Sequence, residues 1–233
     1  MRDSAGRWSG GVAFTPGLMA FSGEIGDTAA HSHAAVQVLL VTRGGVELVD
    51  AAGRASAATV AVIPPGARHE VRAAPGTTGL LAYLDPDSVA GRAAAARLHG
   101  LPADRVRSWL AAAVPRPAPI PAGESRSAES AAVAVRLATG NPAGPPSLVE
   151  LAAQVALSPS RLSHVFAAHM GLPYAAWRRW TRLRLAMDAV RAGASFTEAA
   201  HAAGFADSAH LTRTCRDLFG LTPTEALHAT GWR

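Results

Sequence analysis

Residues 195–221, SFTEAAHAAGFADSAHLTRTCRDLFGL, repeat a pattern that the chain has already used once. Residues 147–172 read SLVELAAQVALSPSRLSHVFAAHMGL, and a shift of 48 residues brings the first halves of the two stretches into register. One extra residue in the second copy aligns the remainder, so that Gly171 corresponds to Gly220. A repeat of this length indicates duplicated architecture.

The first copy has the start signals of two short helices. Ser147 with Glu150 forms a capping-box pattern, and Ser158 followed by Pro159 starts the second helix. Apolar residues at helical spacing predict the buried faces; these are Leu148, Leu151, Ala152 and Val155, then Leu162, Val165 and Phe166. The pattern predicts a helix, a tight turn and a second helix with a polar outer face, the geometry that enters a DNA major groove.

The second copy follows the same scheme. Ser195 with Glu198 starts its first helix, Gly204 makes the turn, and Asp207 caps the next helix. The predicted core comprises Ala199, Ala200, Ala203, Phe205, Leu211, Cys215 and Phe219, with Leu218 beside them. A further capping-box pattern, Thr222 with Glu225, predicts a final short helix.

A long amphipathic helix is predicted between the copies, over residues 174–191, which contain no proline or glycine. It carries a cluster of four arginines, namely Arg178, Arg179, Arg182 and Arg184. Such a cluster can bind phosphates, and it can equally be a solvated helix face. All 22 basic residues of the chain are arginines and the net charge is +5.

The residues of the second copy resemble the signature of the AraC/XylS family of bacterial transcription regulators. The matching positions are Ala200, Gly204, Phe205, Asp207, Ser208, Arg213, Phe219, Gly220, Thr222 and Pro223. The first copy agrees through Leu151, Ala152, Ser158, Leu162, Phe166 and Gly171, and the joining helix through Arg182 and Ala186. Leu211 and Cys215 stand where this family usually has phenylalanine, so we expect looser packing in the second unit.

The resemblance implies that two helix-turn-helix units read adjacent major-groove segments, with recognition helices over residues 159–169 and 208–218. Arg161, His164 and Arg213 are the residues most strongly expected to contact bases or phosphates, since arginine can donate two hydrogen bonds to guanine. The full predicted contact set is Pro159, Ser160, Arg161, Ser163, His164, Ser208, Ala209, Thr212, Arg213, Arg216, Arg178 and Arg182.

Residues 1–85 are predicted to be β structure. Short apolar runs over residues 36–41, 46–49, 59–63 and 79–84 are separated by glycine- and proline-containing turns. Such spacing is typical of a sandwich or barrel.

Three histidines lie within this β region. His31 and His33 precede a strand, Gln37 follows, and His69 comes after Pro64-Pro65-Gly66. Together with Gly44, these residues resemble the two motifs of the cupin family, a small β-barrel. The resemblance implies that His31, His33, Gln37 and His69 occupy metal-ligand positions, which could hold Zn, Mn, Fe or Ni. A pocket for a small organic effector, or a packed core without a ligand, is the alternative interpretation.

Two short helices are predicted over residues 86–114, because alanine, leucine and arginine favour helices. Residues 115–124 contain four prolines in ten positions and are predicted to be a semi-rigid linker. We therefore predict a cupin-like β-barrel sensor domain over residues 1–85, a helical segment and linker over 86–124, and a double helix-turn-helix domain over 125–233.

The sequence thus predicts an α+β chain with two domains that acts as a DNA-binding regulator and not as an enzyme. No membrane-spanning run and no signal peptide are found, and the single cysteine, Cys215, suits a reducing bacterial cytoplasm. Expected partners are double-stranded DNA, a small-molecule effector, a second copy of the chain and RNA polymerase. Two alternatives stay open: a metal-dependent cupin enzyme with a helical appendage, and a helical interaction module that does not bind DNA.

Overall fold

A computed structural model describes residues 8–15, 17–114, 126–141 and 144–230 of the protein. The chain divides into two compact units, one formed by Met1–Pro119 with Arg216–Arg233 and the other by Ile120–Cys215. The linker predicted over residues 115–124 lies outside the described residues. The domain boundaries drawn from the sequence therefore stay predictions.

The N-terminal part of the first unit is built from β-strands. In chain order they are β1 Ser9–Thr15, β2 Leu18–Glu24, β3 Thr28–His31, β4 Val36–Arg43, β5 Val46–Asp50, β6 Ala55–Ala58, β7 Val60–Ile63, β8 His69–Ala73 and β9 Thr78–Leu84. They form two antiparallel sheets, with the orders β1-β2-β9-β4-β7 and β3-β8-β5-β6. The predicted β-rich class is confirmed, whereas closure into one cupin-like barrel is not observed among the described strands.

The core of the β region follows from alternation along the central strands. In β9, every second residue is buried, so that Leu81 and Tyr83 point to the interior. The neighbouring strand β4 buries Val36, Gln37 and Leu39. The buried Gln37 lies beside His33 and His69.

The runs of apolar residues predicted four of these strands, and the remaining five were not recognised in the sequence. The unrecognised strands include β1, SGGVAFT, and β6, ASAA, which consist largely of residues with low strand propensity. Each is instead ordered by hydrogen bonding to a neighbour, β1 to β2 and β6 to β5. Such pairing depends on tertiary context that a local pattern does not contain.

Two helices follow the sheets, as predicted: α1 Val89–Ala96 and α2 Val106–Ala113. Trp109 of α2 is fully buried and donates its indole N–H to Ala103 O at 2.8 Å. The Asp50 carboxylate reaches α2 from β5, since it accepts the Val106 N–H at 3.2 Å and the Arg54 Nε–H at 2.8 Å. Burial alone would raise the pKa of Asp50, but these hydrogen bonds lower it overall.

The remainder of the chain is helical, as predicted. Its helices are α3 Arg126–Thr139, α4 Leu148–Gln154, α5 Pro159–Met170, α6 Tyr174–Arg191, α7 Phe196–Ala202, α8 Ser208–Phe219 and α9 Pro223–Thr230. All three predicted capping boxes form, with the backbone N–H of Ser147, Ser195 and Thr222 donating to Glu150, Glu198 and Glu225 at 2.7, 2.8 and 2.6 Å. No helix in the described part of the chain is both long and apolar enough to span a membrane.

Candidate nucleic-acid interface and metal centre

The first repeat forms a helix-turn-helix unit from α4 and α5. Leu162, Val165 and Phe166 turn inward and are buried, as the spacing predicted. The predicted contact residues Pro159, Ser160, Arg161 and His164 are exposed, and Ser163 is half-buried. The outer face of α5 is therefore polar and accessible, which is what contact with DNA requires.

The second repeat forms the corresponding unit from α7 and α8. The predicted contacts Ala209, Arg213 and Arg216 are exposed, while Ser208 and Thr212 are half-buried. Leu211 and Cys215 are each 1% exposed on the opposite side. One detail of the predicted core is wrong: Leu218 is buried and Phe219 is only half-buried, because the helix turns Leu218 toward the interior.

The two turns reach the same backbone conformation with different residues. Gly204 adopts φ +76°, as expected for a glycine that ends a helix, and Ala156 adopts φ +53° at the corresponding place in the first unit. Among the described residues, Ala156 is the one non-glycine with a positive φ. An alanine in this region is strained, since its Cβ crowds the following carbonyl. This strain could not be predicted from the sequence, because alanine is common throughout the chain.

Helix α6 joins the units and buries Trp177, Trp180 and Leu183 along one side. The Arg178 side chain, a predicted contact, donates Nε–H to Pro145 O at 2.8 Å. Arg182, also predicted, lies against the turn of the second unit: a Cβ added to Gly204 would meet its Nη2 at 3.0 Å. Both arginines are half-buried. The structure brings them beside the recognition helices, and their contact with DNA stays a prediction.

The four residues predicted to form a metal site come together in the β region. His31, His33, Gln37 and His69 are all buried, each exposed by 2% or less. One ligand atom from each of the three histidines lies within 4.8 Å of the others. Two nitrogens bound tetrahedrally to one zinc ion would lie roughly 3.4 Å apart. The cluster therefore needs only a small contraction to bind an ion.

The outer nitrogen of every ring faces a backbone carbonyl. His31 Nδ1 lies 2.8 Å from Ala29 O, and His33 Nδ1 lies 3.0 Å from Ala35 O. His69 Nδ1 lies 2.9 Å from Ala67 O. Since a carbonyl can only accept, each Nδ1 carries the proton and each Nε2 presents a lone pair to the cluster. Metal-binding histidines are commonly oriented by such outer hydrogen bonds.

Gln37 places an oxygen among these lone pairs. Its Oε1 lies 2.8 Å from His33 Nε2 and 2.9 Å from His69 Nε2. Lone pairs that face one another repel, so the arrangement requires either a cation between them or a rotated amide that donates its N–H groups. The His31 Nε2 atom is buried without a hydrogen-bond partner. Rotation of the amide leaves that nitrogen unsatisfied, whereas a cation bound by all four residues would satisfy it and leave the buried Gln37 Nε2 without a partner.

The histidines are held in the neutral form that metal binding needs. Burial, and to a smaller extent the nearby His33, lower the pKa of His31 to about 3. Burial also lowers the pKa of His33 and of His69. The donor set of three neutral imidazoles and one amide oxygen fits Zn²⁺, Mn²⁺, Fe²⁺ or Ni²⁺.

Two aromatic residues that the sequence did not connect with the histidines complete the surroundings. Tyr83 lies edge-on to His33, with ring centroids 5.1 Å apart, and Trp109 lies edge-on to His69 at 6.1 Å. Tyr83 is a strand residue and Trp109 belongs to α2, so only the tertiary fold brings them here. Burial raises the pKa of the Tyr83 hydroxyl, which therefore stays protonated.

Comparisons with known proteins agree with these features. Residues 151–229 match a family model described as a helix-turn-helix domain. Comparison with curated proteins gives no match.

Solved structures are similar to this chain in fold. ToxT from Vibrio cholerae O395 is 9% identical, with a TM-score of 0.60 over 94% of this chain and 100% of that one. Unsaturated fatty acid bound wild-type ToxT from V. cholerae strain SCE256 is 8% identical, with a TM-score of 0.53 over 97% and 93%. A regulator from Chromobacterium violaceum, described as AraC-type, is 24% identical over 47% of this chain and 98% of that one, with a TM-score of 0.42.

At these identities the likeness to ToxT shows the fold alone: a β-rich N-terminal part followed by helices. The match to the family model covers the repeated unit that carries the signature residues, the buried faces and the exposed polar faces described above. The resemblance of the two repeated units to the AraC/XylS signature is thereby confirmed, and residues 151–229 form the AraC-type helix-turn-helix domain of a DNA-binding transcription regulator.

Proposed function

We propose that this regulator reads an asymmetric DNA site made of two neighbouring major-groove segments, one for each helix-turn-helix unit. The observation that supports this proposal is the pair of recognition helices, α5 and α8, which bury one face and expose polar residues on the other. His164 and Arg213 occupy corresponding exposed positions in the two helices. Each would therefore specify bases in its own segment.

Selection of bound duplexes from a random pool tests this directly. We expect the wild-type chain to select two conserved segments about one helical turn, roughly 10 base pairs, apart. His164→Ala should relax base preference in one segment and Arg213→Ala in the other, and neither should unfold the protein. The matched controls are His201→Ala and Arg136→Ala, at exposed positions outside the recognition helices. If Arg213→Ala selects the same sequence with the same affinity, that residue does not read bases.

We further propose that the histidine cluster holds a divalent metal ion. The unsatisfied His31 Nε2 and the lone pairs directed at Gln37 Oε1 support this assignment. Bound there, the ion would fix the sheets that carry its ligands and could offer a coordination position to an effector. Elemental analysis of the purified protein should find one equivalent of metal in wild type and none in His69→Ala. The exposed His99→Ala variant is the control.

The β-rich unit is proposed to bind a small-molecule effector and to form a homodimer, in a regulator that contacts RNA polymerase in the bacterial cytoplasm. The fold shared with ToxT supports the effector role, since one ToxT structure is described as bound to an unsaturated fatty acid. The alternative, a cupin-like enzyme that uses the same metal, predicts turnover that is lost with the metal while DNA binding remains. Thermal-shift measurements with and without fatty acids, before and after metal removal, separate the two.

A further inference from the structure

The compact unit formed by Ile120–Cys215, which we call the helical unit, contains a cleft of about 360 Å³. Residues from both recognition helices and from the helix that joins them line this cleft. We call it the arginine cleft. Its lining includes Arg178, Arg179 and Arg182 from α6, with Ser163 from α5 and His210 from α8. In the part of the chain that the structure describes, no acidic side chain lines this cleft.

The positive charges in the arginine cleft are energetically unfavourable in the absence of an anion. The Arg182 Nε atom is buried and has no hydrogen-bond partner. Burial lowers the pKa of Arg182, and the charge of Arg178 lowers it further. Two like charges that are partly desolvated favour the arrival of an anion, because an anion offsets their repulsion.

The surroundings fix these arginines in place. Arg178 is held through its Nε by Pro145 O, and the Arg182 guanidinium packs on the turn at Gly204. The charge of Arg178 contributes to lowering the pKa of Glu150. The Glu150 Oε2 atom already accepts the Ser147 N–H at 2.7 Å. The arginines are therefore preorganised, with little side-chain entropy left to lose on binding.

The end of helix α6 adds to this field. Its N-terminal residues Pro173, Tyr174 and Ala175 line the cleft. This helix of 18 residues has no side-chain cap at Pro173 and no acidic residue in its first turn. Its positive end is uncompensated within the helix, and it acts in the same direction as the arginines.

We propose that the arginine cleft binds a phosphate of the DNA backbone at the point where the duplex passes from the first helix-turn-helix unit to the second. This proposal rests on DNA binding by both units. A phosphate supplies the charge and the acceptor oxygens that the cleft lacks, and the recognition helices that flank the cleft bring the duplex to it. Contact at this point fixes the spacing of the two units on DNA without reading any base.

Binding measurements on the full chain test the proposal with Arg182→Gln and Arg178→Gln, beside Arg136→Gln as an exposed control on α3. The duplexes are one selected by the wild type and one of unrelated sequence. We expect each cleft variant to lose about ten-fold in affinity for both duplexes and the slope of log K against log salt to fall by about one. The control should keep both quantities, and circular dichroism should show that every variant is folded.

A second experiment needs only the wild-type protein for its main result. Single phosphates of the selected duplex are replaced in turn by neutral methylphosphonates. The largest loss should come from a phosphate between the two segments, and on that duplex Arg182→Gln should bind as well as wild type, because the contact is already missing.

Two outcomes overturn the proposal. One is a wild-type complex that is indifferent to every neutralised phosphate between the segments. The other is an Arg182→Gln variant whose affinity and salt slope match those of wild type. If the wild-type chain selects no duplex at all, DNA binding itself fails, which is a different result.

Discussion

In the first helix-turn-helix unit, Phe166 lies edge-on to Tyr174 and Trp177, with ring centroids 5.1 and 5.5 Å apart. The corresponding position in the second unit holds Cys215, a small buried side chain. The helix paired with α8 presents Ala199 and Ala200, which are fully buried. The first unit is therefore built around an aromatic cluster, whereas the second has small buried side chains at these places, although both carry the same capping boxes.

The turns of the two helix-turn-helix units differ in backbone strain, and here the first unit is the less favourable one. The first unit holds Ala156 in a left-handed conformation, whereas the second uses Gly204, which adopts that conformation without strain. The unit with the larger core thus carries the strained turn, and the unit with the smaller core has the relaxed one. Both copies thus retain the features needed to start a helix, while their cores and turns have diverged in ways that compensate.

The largest difference is expected from truncation of the two core positions. Phe166→Ala should lower the free energy of unfolding of the helical unit by about 3–5 kcal/mol, because it removes a buried ring and leaves a cavity among aromatic neighbours. Cys215→Ala removes one sulfur atom and should cost only about 1 kcal/mol. Urea unfolding followed by far-ultraviolet circular dichroism measures both values.

Amide hydrogen exchange in the same variants locates the effect. Phe166→Ala should raise exchange first in α4 and α5. Equal losses in the free energy of unfolding for Phe166→Ala and Cys215→Ala would show that the two positions contribute equally to stability, contrary to this expectation.

A substitution in the second turn should have the next largest effect. Gly204→Ala forces a Cβ into a positive-φ position and brings it within 3.0 Å of Arg182 Nη2. We expect a loss of about 2 kcal/mol, the sum of backbone strain and displacement of the guanidinium. Thermal unfolding measures it, and Gly193→Ala is the control: φ is also positive there, at +100°, but nothing lies near the added Cβ. A loss of stability no larger than that of Gly193→Ala would show that the contact with Arg182 does not contribute.

The helical unit could be predicted closely from the sequence, and the reason lies in its local signals. Ser147 with Glu150 and Ser195 with Glu198 are contained within four residues, and the structure forms both boxes as the pattern predicts. The predicted joining helix over residues 174–191 coincides with Tyr174–Arg191. Ala156 was missed because its strain depends on the packing of two helices and not on its neighbours in sequence.

The β region was predicted less completely, because its order comes from distant residues. The resemblance to the cupin motifs placed His31, His33, Gln37 and His69 in one cluster, as the structure has them. It did not reveal Trp109, which follows His69 by 40 residues. The Asp50 carboxylate, which accepts a hydrogen bond from the start of α2, was likewise not recognised. Both contacts require knowledge of how the strands and α2 pack.

A smaller effect of opposite sign is expected in the first turn. Ala156→Gly removes the strain of φ +53° at the cost of a more flexible unfolded chain. We expect a net stabilisation of about 0.5–1 kcal/mol, which thermal unfolding of the full chain can measure. Ala153→Gly, at an exposed helical position of α4, is the control and should destabilise by a similar amount. Destabilisation by Ala156→Gly would mean that the turn is held in place by its methyl group.

The smallest effect is expected where the two units are most alike, at the capping glutamates. Hydrogen bonds from the Ser147 side chain and backbone lower the pKa of Glu150, and those from Ser195 lower the pKa of Glu198. Because the folded pKa lies below the unfolded value of 4.5, the stabilisation is complete above that value and is lost as the pH falls through the folded pKa. Glu150→Gln and Glu198→Gln should therefore lower the melting temperature slightly and equally at neutral pH, and the difference from wild type should vanish in acid. Melting curves across this pH range test the symmetry. If one variant loses clearly more than the other, the shared caps do not contribute equally, and the divergence of the two units extends to the starts of their helices.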